Sequence, residues 1–468
     1  MSEVLYQYRA VEPATWFYLS SLLLIGLFFK FGRFWSVRNL DLVLLILLGP
    51  GLLFVSYGQR MEREARLKLA TSVSFDRDAQ PTVDIGHAVH PDQPVAQGPQ
   101  GDSIPDRLPE SLSAQKFGFV WLFIIDIVVL ARLFADPTMV RRPLLEPNLT
   151  GGGLTFIGCS LFVFLMANVI CRPANSESQS PHGASIDTSK DPTIKVSERH
   201  EGPGYAHLRS IRGSTQKVLA ISAHLLIVLG MVLIGYWHFE NIVMGVGAAT
   251  LYLMLPYTSL MTNQIQHAIP AAFLVTAVLC YRQPLVSGAF LGLASGLSYY
   301  PLFLLPLWLS FYWSRGLARF MTSFVLTLAA LTVILLIPAT DPWHSLRLMF
   351  GIMRPATDGL NGIWDREIGG WNPSYRIPIL AAFMILAFSM ILWPPQKNLG
   401  TLLSCSAAIM VACQLWHGYG GGTFMAWYLP LLLLTIFRPN LEDRVALSVL
   451  GRSWLPRRLS LVTGVKAA

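Results

Sequence analysis

Apolar runs of roughly 14 to 21 residues recur along almost the whole 468-residue chain, and most are closed at one end by Lys or Arg. A bilayer core about 30 Å thick needs about 20 helical residues to cross, or fewer where a span is broken and shielded by its neighbours. With that ruler, spans fall near 16–30, 40–57, 117–134, 152–171, 217–237, 241–258, 267–281, 285–298, 300–313, 319–338, 376–394, 399–416 and 424–437. The expected fold is an all-α polytopic integral membrane protein with about 13 transmembrane helices. Composition agrees, since 53% of residues are hydrophobic and only 13% are charged.

The basic residues set the expected orientation, because short Lys- and Arg-bearing loops resist translocation. Lys30, Arg33, Arg38, Arg132, Arg141, Arg142, Arg282, Arg315, Arg319, Lys397 and the tail from Arg438 onward fall on one side when the spans alternate. That side is assigned to the cytoplasm and the N-terminus to the outside, in a bacterial plasma membrane. The sequence then divides into N-terminal helices (1–58), an outer polar loop (59–116), helices (117–171), a second outer loop (172–216), a core (217–338), an outer cap (339–375), C-terminal helices (376–437) and a basic tail (438–468). Both polar loops read as partly disordered, being rich in Pro, Gly, Ser and Asp. Arg60, Arg63, Arg66 and Lys68 fall on the outer side, but Glu62 and Glu64 interleave with them in the pattern of a charged surface helix.

The net charge of +8 is spread as punctuation between apolar runs, which argues against nucleic acid as a partner. The five cysteines all lie in or beside apolar segments and imply neither a disulfide framework nor a zinc site. No cofactor is firmly implied. His87 and His90 leave a divalent cation open, although a histidine pair beside Pro and Asp in a polar loop is ordinarily solvated. The oligomeric state is not set by the sequence.

The most informative run is "GLASGLSYYPLFLLPLWLSFYW", residues 292–313. Arg282 and Arg315 bracket it and both belong on the basic side. The chain between them therefore leaves and returns within about 32 residues, as two short helices of about 22 Å each. Pro301 lacks an N–H and disfavours helix at Tyr300, which puts the reversal of the broken pair 285–313 at "SYYP". A single proline-kinked span is the alternative. Gly288, Gly292 and Gly296 form a small-residue face for close packing.

The order of a polar turn, apolar helix, basic turn, small-residue helix, proline-started helix and second basic turn over 264–316 resembles the central signature of the C-type glycosyltransferases. The likeness is to the family 87-like and related mannosyltransferase group. It implies transfer of a sugar from a polyprenyl-phosphate donor at the outer membrane face, with membrane lipid and a polyprenyl-phosphate-linked sugar as partners. Two features depart from that group. Ser298, Tyr299 and Tyr300 stand where relatives often carry a lysine, and the acidic, tyrosine-rich motif after the first span is missing.

Such a transfer needs a base at the acceptor hydroxyl, donors or cations around the leaving phosphate, and a partly dry site. By analogy with the family the base comes from the first outer loop, where Asp76 and Asp78 are the nearest acids. Asp365 in the cap is a third candidate. Tyr299, Tyr300, His267, His417 and Trp371 are candidates for substrate binding, and Arg376, just before an apolar span, for the lipid phosphate. Asp126 and His224 lie inside spans, where ionisable groups are costly. Singly, each reads as a buried hydrogen-bonding group; together they favour a rival reading, a transporter or flippase for a lipid-linked or polar solute. A membrane protein without chemistry is the third reading.

Overall fold

The computed structural model describes residues 11–78, 104–139, 145–171, 208, 211, 213–337, 342–343, 360–395, 397–418 and 420–439; the side chains of 68–78, 104–107 and 335 are not among those described. Among the described residues there are helices, single 3₁₀ turns and no strand. The helices are α1 (Pro13–Phe28), α2 (Val37–Asp78), α3 (Ile104–Ala135), α4 (Gly151–Cys171), α5 (Ser214–Trp237), α6 (Ile242–Met254), α7 (Pro256–Met261) and α8 (Ile265–Leu279). They continue with α9 (Pro284–Leu297), α10 (Leu305–Tyr312), α11 (Leu317–Leu336), α12 (Arg376–Ser389), α13 (Leu399–Trp416) and α14 (Leu429–Phe437). Six of the helices are long and apolar enough to cross a membrane, and further apolar helices are shorter.

The centre of the molecule is α13, buried from Leu399 to Leu415, together with α14, buried throughout. Ser406 of α13 accepts from the Trp308 indole at 3.2 Å, and Gln414 bonds to the turn that follows the helix. On the rim, Leu22, Phe156, Val163, Ile337, Ile385 and Leu392 are exposed. Large aliphatic and aromatic side chains around the outside of a helical bundle whose centre is also apolar are what hydrocarbon solvent selects.

One end of the bundle gathers the basic loops. Arg132 holds Asp41 through two bonds, from Nε at 2.7 Å and from a terminal nitrogen at 3.0 Å, and also reaches Asp136 at 3.1 Å. Arg438 pairs with Asp136 at 2.6 Å, and Arg38 donates to the Arg438 carbonyl. Arg315 donates to the Lys397 carbonyl. The Asp126–Tyr428 hydrogen bond and the Asp136–Arg438 ion pair are two rungs ten residues apart, one from within α3 and one from the turn just after it, to the residues that cap the two ends of α14, so these segments run parallel.

The chain over 284–312 is a hairpin. The Tyr312 hydroxyl donates to the Tyr281 carbonyl at 2.6 Å, which joins the end of α10 to the start of α9, while Ser298–Tyr300 turn at the opposite end of the bundle. The glycine face of α9 lies against α11: a Cβ on Gly288 would fall 2.4 Å from the Phe320 carbonyl oxygen.

The loop expected over 59–116 is corrected at both of its ends. Helix α2 continues through Gly58 to Asp78 and α3 begins at Ile104, so the two form a long antiparallel pair, and 79–103 lie outside the described residues. The extension is stabilised by Arg60–Glu64 and Arg66–Glu62 at i,i+4 and by Gln115 donating to Glu62 at 2.7 Å. Gly58 makes the contact close, since a Cβ there would meet the Ser111 carbonyl oxygen at 2.7 Å. At 42 residues α2 is about 63 Å long, which exceeds a bilayer core about twofold. The last expected span is also revised: 424–428 is a turn with one 3₁₀ segment, Met425–Trp427, and only Leu429–Phe437 is α-helix.

Candidate functional site

At the end opposite the basic loops, α13 stops at Trp416 and the chain makes a turn through Gly418, Gly420, Gly421 and Gly422. Gly420 (φ +71°) and Gly422 (φ +88°) take left-handed conformations that suit glycine and end the helix. The turn has no room for larger residues, because a Cβ on Gly421 would lie 2.3 Å from the Gln414 carbonyl oxygen. Gln414 is buried and organises it, its Oε1 accepting from the N–H groups of Gly422 (3.2 Å) and Phe424 (3.3 Å).

The cap segment rests on this turn. Asn361 N–H donates to the Gly418 carbonyl at 2.8 Å, and Gly362 (φ +76°) packs directly on Gly420. Arg376, at the start of α12, is buried and donates from Nε to the Trp416 carbonyl at 3.1 Å; its terminal nitrogen lies beside Gly418. A guanidinium at a helix C-terminus satisfies an orphan carbonyl and the negative end of the helix dipole together. Arg376 thus ties cap, helix end and turn.

Beneath the cap is a continuous group of rings. His267 stacks on Phe424 at 4.5 Å with its ring nearly parallel, and its Nδ1 lies 2.9 Å from the Tyr257 hydroxyl. His417 contacts Phe424 at 4.6 Å and Tyr300 at 4.8 Å; Tyr300 stacks on Trp427 at 4.5 Å and meets Trp416 at 5.8 Å. The folded chain therefore brings together His267, Tyr300, His417 and Arg376, which are far apart in sequence. Among the described residues several buried donors have no hydrogen-bond partner: the indole nitrogens of Trp364, Trp416 and Trp427 and the Tyr299 hydroxyl. Unsatisfied buried donors are costly, and two of these four, on Trp416 and Trp427, belong to rings that contact Tyr300.

Trp371 belongs to a separate set of rings, meeting Phe123 at 4.9 Å and Trp364 at 6.0 Å. Asp365 follows the 3₁₀ turn Gly362–Trp364 and is half-buried; its Oδ1 accepts from the Glu367 N–H at 2.8 Å. Burial raises its carboxyl above the ordinary value, and the negative charges of Glu367 and Glu62 add to that, against the opposing effects of the Glu367 N–H bond and of Arg66.

Asp126 is fully buried, with Oδ1 accepting from the Tyr428 hydroxyl at 3.1 Å. His224 lies elsewhere, between α5, α6 and the Thr262 carbonyl. Nε2 faces that carbonyl at 3.1 Å and must carry the proton, so Nδ1, 2.9 Å from the Tyr252 hydroxyl, is the acceptor. His224 is a satisfied hydrogen-bonding residue and is not joined to Asp126. Asp76 and Asp78 fall at the C-terminal end of α2, outside the described side chains, and His87 and His90 lie outside the described residues altogether. Among the described residues no group of three or more His, Cys, Asp or Glu is placed to hold a metal ion.

The sequence reading missed Gln414, Phe424, Trp427, Tyr257 and Tyr428. Gln414 was accessible to the rule that picked out Asp126, a polar group inside an apolar run. The aromatics had no such signal, since rings at a membrane surface ordinarily form an interfacial belt. In comparisons with known proteins the chain matches no protein-family model, no curated protein and no solved structure.

Proposed function

We propose that the chain is a membrane glycosyltransferase that moves a sugar from a polyprenyl-phosphate donor to an acceptor hydroxyl at the outer face of a bacterial plasma membrane. In this reading the six long helices and the shorter apolar ones make up about thirteen spans, with the basic end in the cytoplasm. The observation that carries the proposal is the convergence of His267, Tyr300 and His417 with the unpaired indole donors of Trp416 and Trp427 under a cap bearing Asp365. Aromatic faces suit the apolar faces of a sugar ring, and the indole and phenol donors suit its oxygens and those of a phosphate.

Asp365 accepts the proton of the acceptor hydroxyl as that oxygen bonds to the anomeric carbon. The bond from that carbon to the phosphate oxygen breaks, and the polyprenyl phosphate departs with the electron pair. The charge of Arg376 beside Gly418 and the neutral donors offset the developing negative charge, in place of the lysine that the resembled family often carries near the reversal. A raised carboxyl suits Asp365 to this role, because a base works best when its affinity for the proton is close to the operating pH.

The test is a transfer assay on purified protein in nanodiscs, with polyprenyl-phosphate mannose and glucose offered as donors. The wild type is expected to release polyprenyl phosphate. Asp365→Asn should slow transfer by about 100-fold or more, with Asp76→Asn and Asp78→Asn assayed beside it. No transfer by the wild type, or unchanged transfer in Asp365→Asn, overturns the assignment of Asp365.

A transporter or flippase is the second reading, favoured by Asp126 at mid-span with Oδ2 unpartnered. His224 lends it no support, because both ring nitrogens are engaged.

A further inference from the structure

The basic end of the bundle is divided in how its charge is met. Arg38, Arg132 and Arg438 cluster with Asp41 and Asp136, and Arg132 and Arg438 are ion-paired with those acids. On the same end, Arg282, Arg315, Arg319 and Lys397 form no ion pair among the described residues. The segments that carry them, 280–285, 312–320 and 390–399, contain no Asp or Glu.

These segments are fastened to one another. The Tyr312 hydroxyl donates to the Tyr281 carbonyl at 2.6 Å, and a Cβ on Gly316 would lie 3.1 Å from the Pro284 ring. Arg282 and Arg315 therefore flank one contact between the start of α9 and the start of α11. Arg315 also reaches the third segment, donating to the Lys397 carbonyl at 3.0 Å, while the Lys397 ammonium donates to the Met390 carbonyl at 2.7 Å. Arg319 stands one helical turn beyond Arg315 and is exposed.

A basic residue that only marks orientation extends its charged head into water. Arg315 does not: it is half-buried, its guanidinium lies over the Phe311 ring at 5.2 Å, and its Nε has no acceptor. The Arg282 side chain bonds to no described residue, and its Nε is likewise buried without an acceptor. Cationic donors left in this way are costlier than neutral ones, and a phosphate group meets an arginine with two oxygens at once. Leu285, Trp313 and Leu392, on the same segments, are exposed, which sets the cations where apolar surface meets water. Such a rim suits a phosphate that arrives on acyl chains.

We propose that this platform binds the phosphate of an anionic phospholipid from the leaflet at the basic end of the bundle, with Arg282 and Arg315 as its principal donors. Arg319 and Lys397 add charge, so a lipid with net negative charge is favoured over a zwitterionic one. The site lies at the opposite end from the aromatic group and takes no part in sugar transfer.

Native mass spectrometry of the full chain, released from detergent after titration with phosphatidylglycerol or phosphatidylcholine, tests this without any sugar substrate, so its outcome is separate from that of the transfer assay. The wild type is expected to retain phosphatidylglycerol in preference to phosphatidylcholine. Its thermal melt in the same detergent should rise with phosphatidylglycerol and not with inorganic phosphate. Arg282→Gln should weaken retention by about tenfold, the loss of a charge-assisted bond, while its lipid-free melt matches the wild type. Arg33→Gln, exposed in the turn between α1 and α2, removes the same charge and should change retention by no more than about twofold, because a separate exposed charge is screened. Arg315→Lys, which keeps the charge and loses the fork, should weaken retention by less than Arg282→Gln. Equal retention of the two lipids, unchanged retention in both Arg282→Gln and Arg315→Lys, or a loss in Arg33→Gln as large as that in Arg282→Gln overturns the site. A melt raised as much by inorganic phosphate overturns the lipid as its ligand.

Discussion

At the scale of single residues, the described ionisable groups sort by how completely their partners satisfy them. His224 meets a hydroxyl and a carbonyl, one bond at each nitrogen. His224→Ala should therefore cost about 2 kcal/mol in stability, about 1 for each lost hydrogen bond, measured by denaturant unfolding in detergent, without altering transfer. Arg132 is worth more, since it neutralises Asp41 by a two-bond fork and shares Asp136 with Arg438. Arg132→Ala strands a buried carboxylate and should lose about 3–5 kcal/mol; Arg132→Lys should recover only part, because a lysine cannot reproduce the fork. Asp365 predicts a pH dependence. Its carboxyl is raised in the folded state, chiefly by burial, so the folded chain holds this proton more tightly than the unfolded one. The contribution to stability is present below the unfolded value and declines as pH rises toward the folded one. Thermal melting of the wild type should therefore fall relative to Asp365→Asn as the pH increases from about 4.

At the scale of elements, the close approach of α9 and α11 depends on glycine at specific heights. A Cβ at Gly288 meets the Phe320 carbonyl oxygen, a backbone atom that cannot move aside, whereas at Gly296 it meets the tip of the Leu331 side chain. Gly288→Ala should destabilise by about 1–3 kcal/mol through overpacking, and Gly296→Ala by less, as read from melting temperatures in one detergent. If the order is reversed, side-chain adjustment is not what separates the two sites. The small-residue face was legible from the spacing of its glycines alone. Its partner was not, because α11 offers no comparable pattern and is selected only by the hairpin that brings it alongside.

At the scale of the whole molecule, the basic loops gather at one end and the cap and glycine turn at the other. Positive charge resists translocation, so this arrangement predicts which end faces the cytoplasm. In a background with Cys171 replaced by Ser, Ser374→Cys in the cap should react with an impermeant maleimide on intact cells. Ser314→Cys, beside Arg315, should react only after permeabilisation; both positions are exposed. The opposite labelling pattern would invert the topology and place the candidate site on the cytoplasmic face.

The sequence by itself determined the solvent and the class of fold, because a chain more than half apolar and interrupted at near-bilayer intervals can bury its backbone only as membrane helices. It also marked the reversal at Ser298–Tyr300, since paired arginines fix both ends of that run. Only the tertiary structure decided what meets there. The contacts His267–Phe424 and Tyr300–His417 join positions more than 100 apart, and Arg376 reaches Trp416 across 40, separations at which helix periodicity carries no information. Nor does sequence record which oxygen of Asp126 finds a partner, because that depends on α3 and α14 running parallel and on a glycine turn thin enough to lie over the other oxygen.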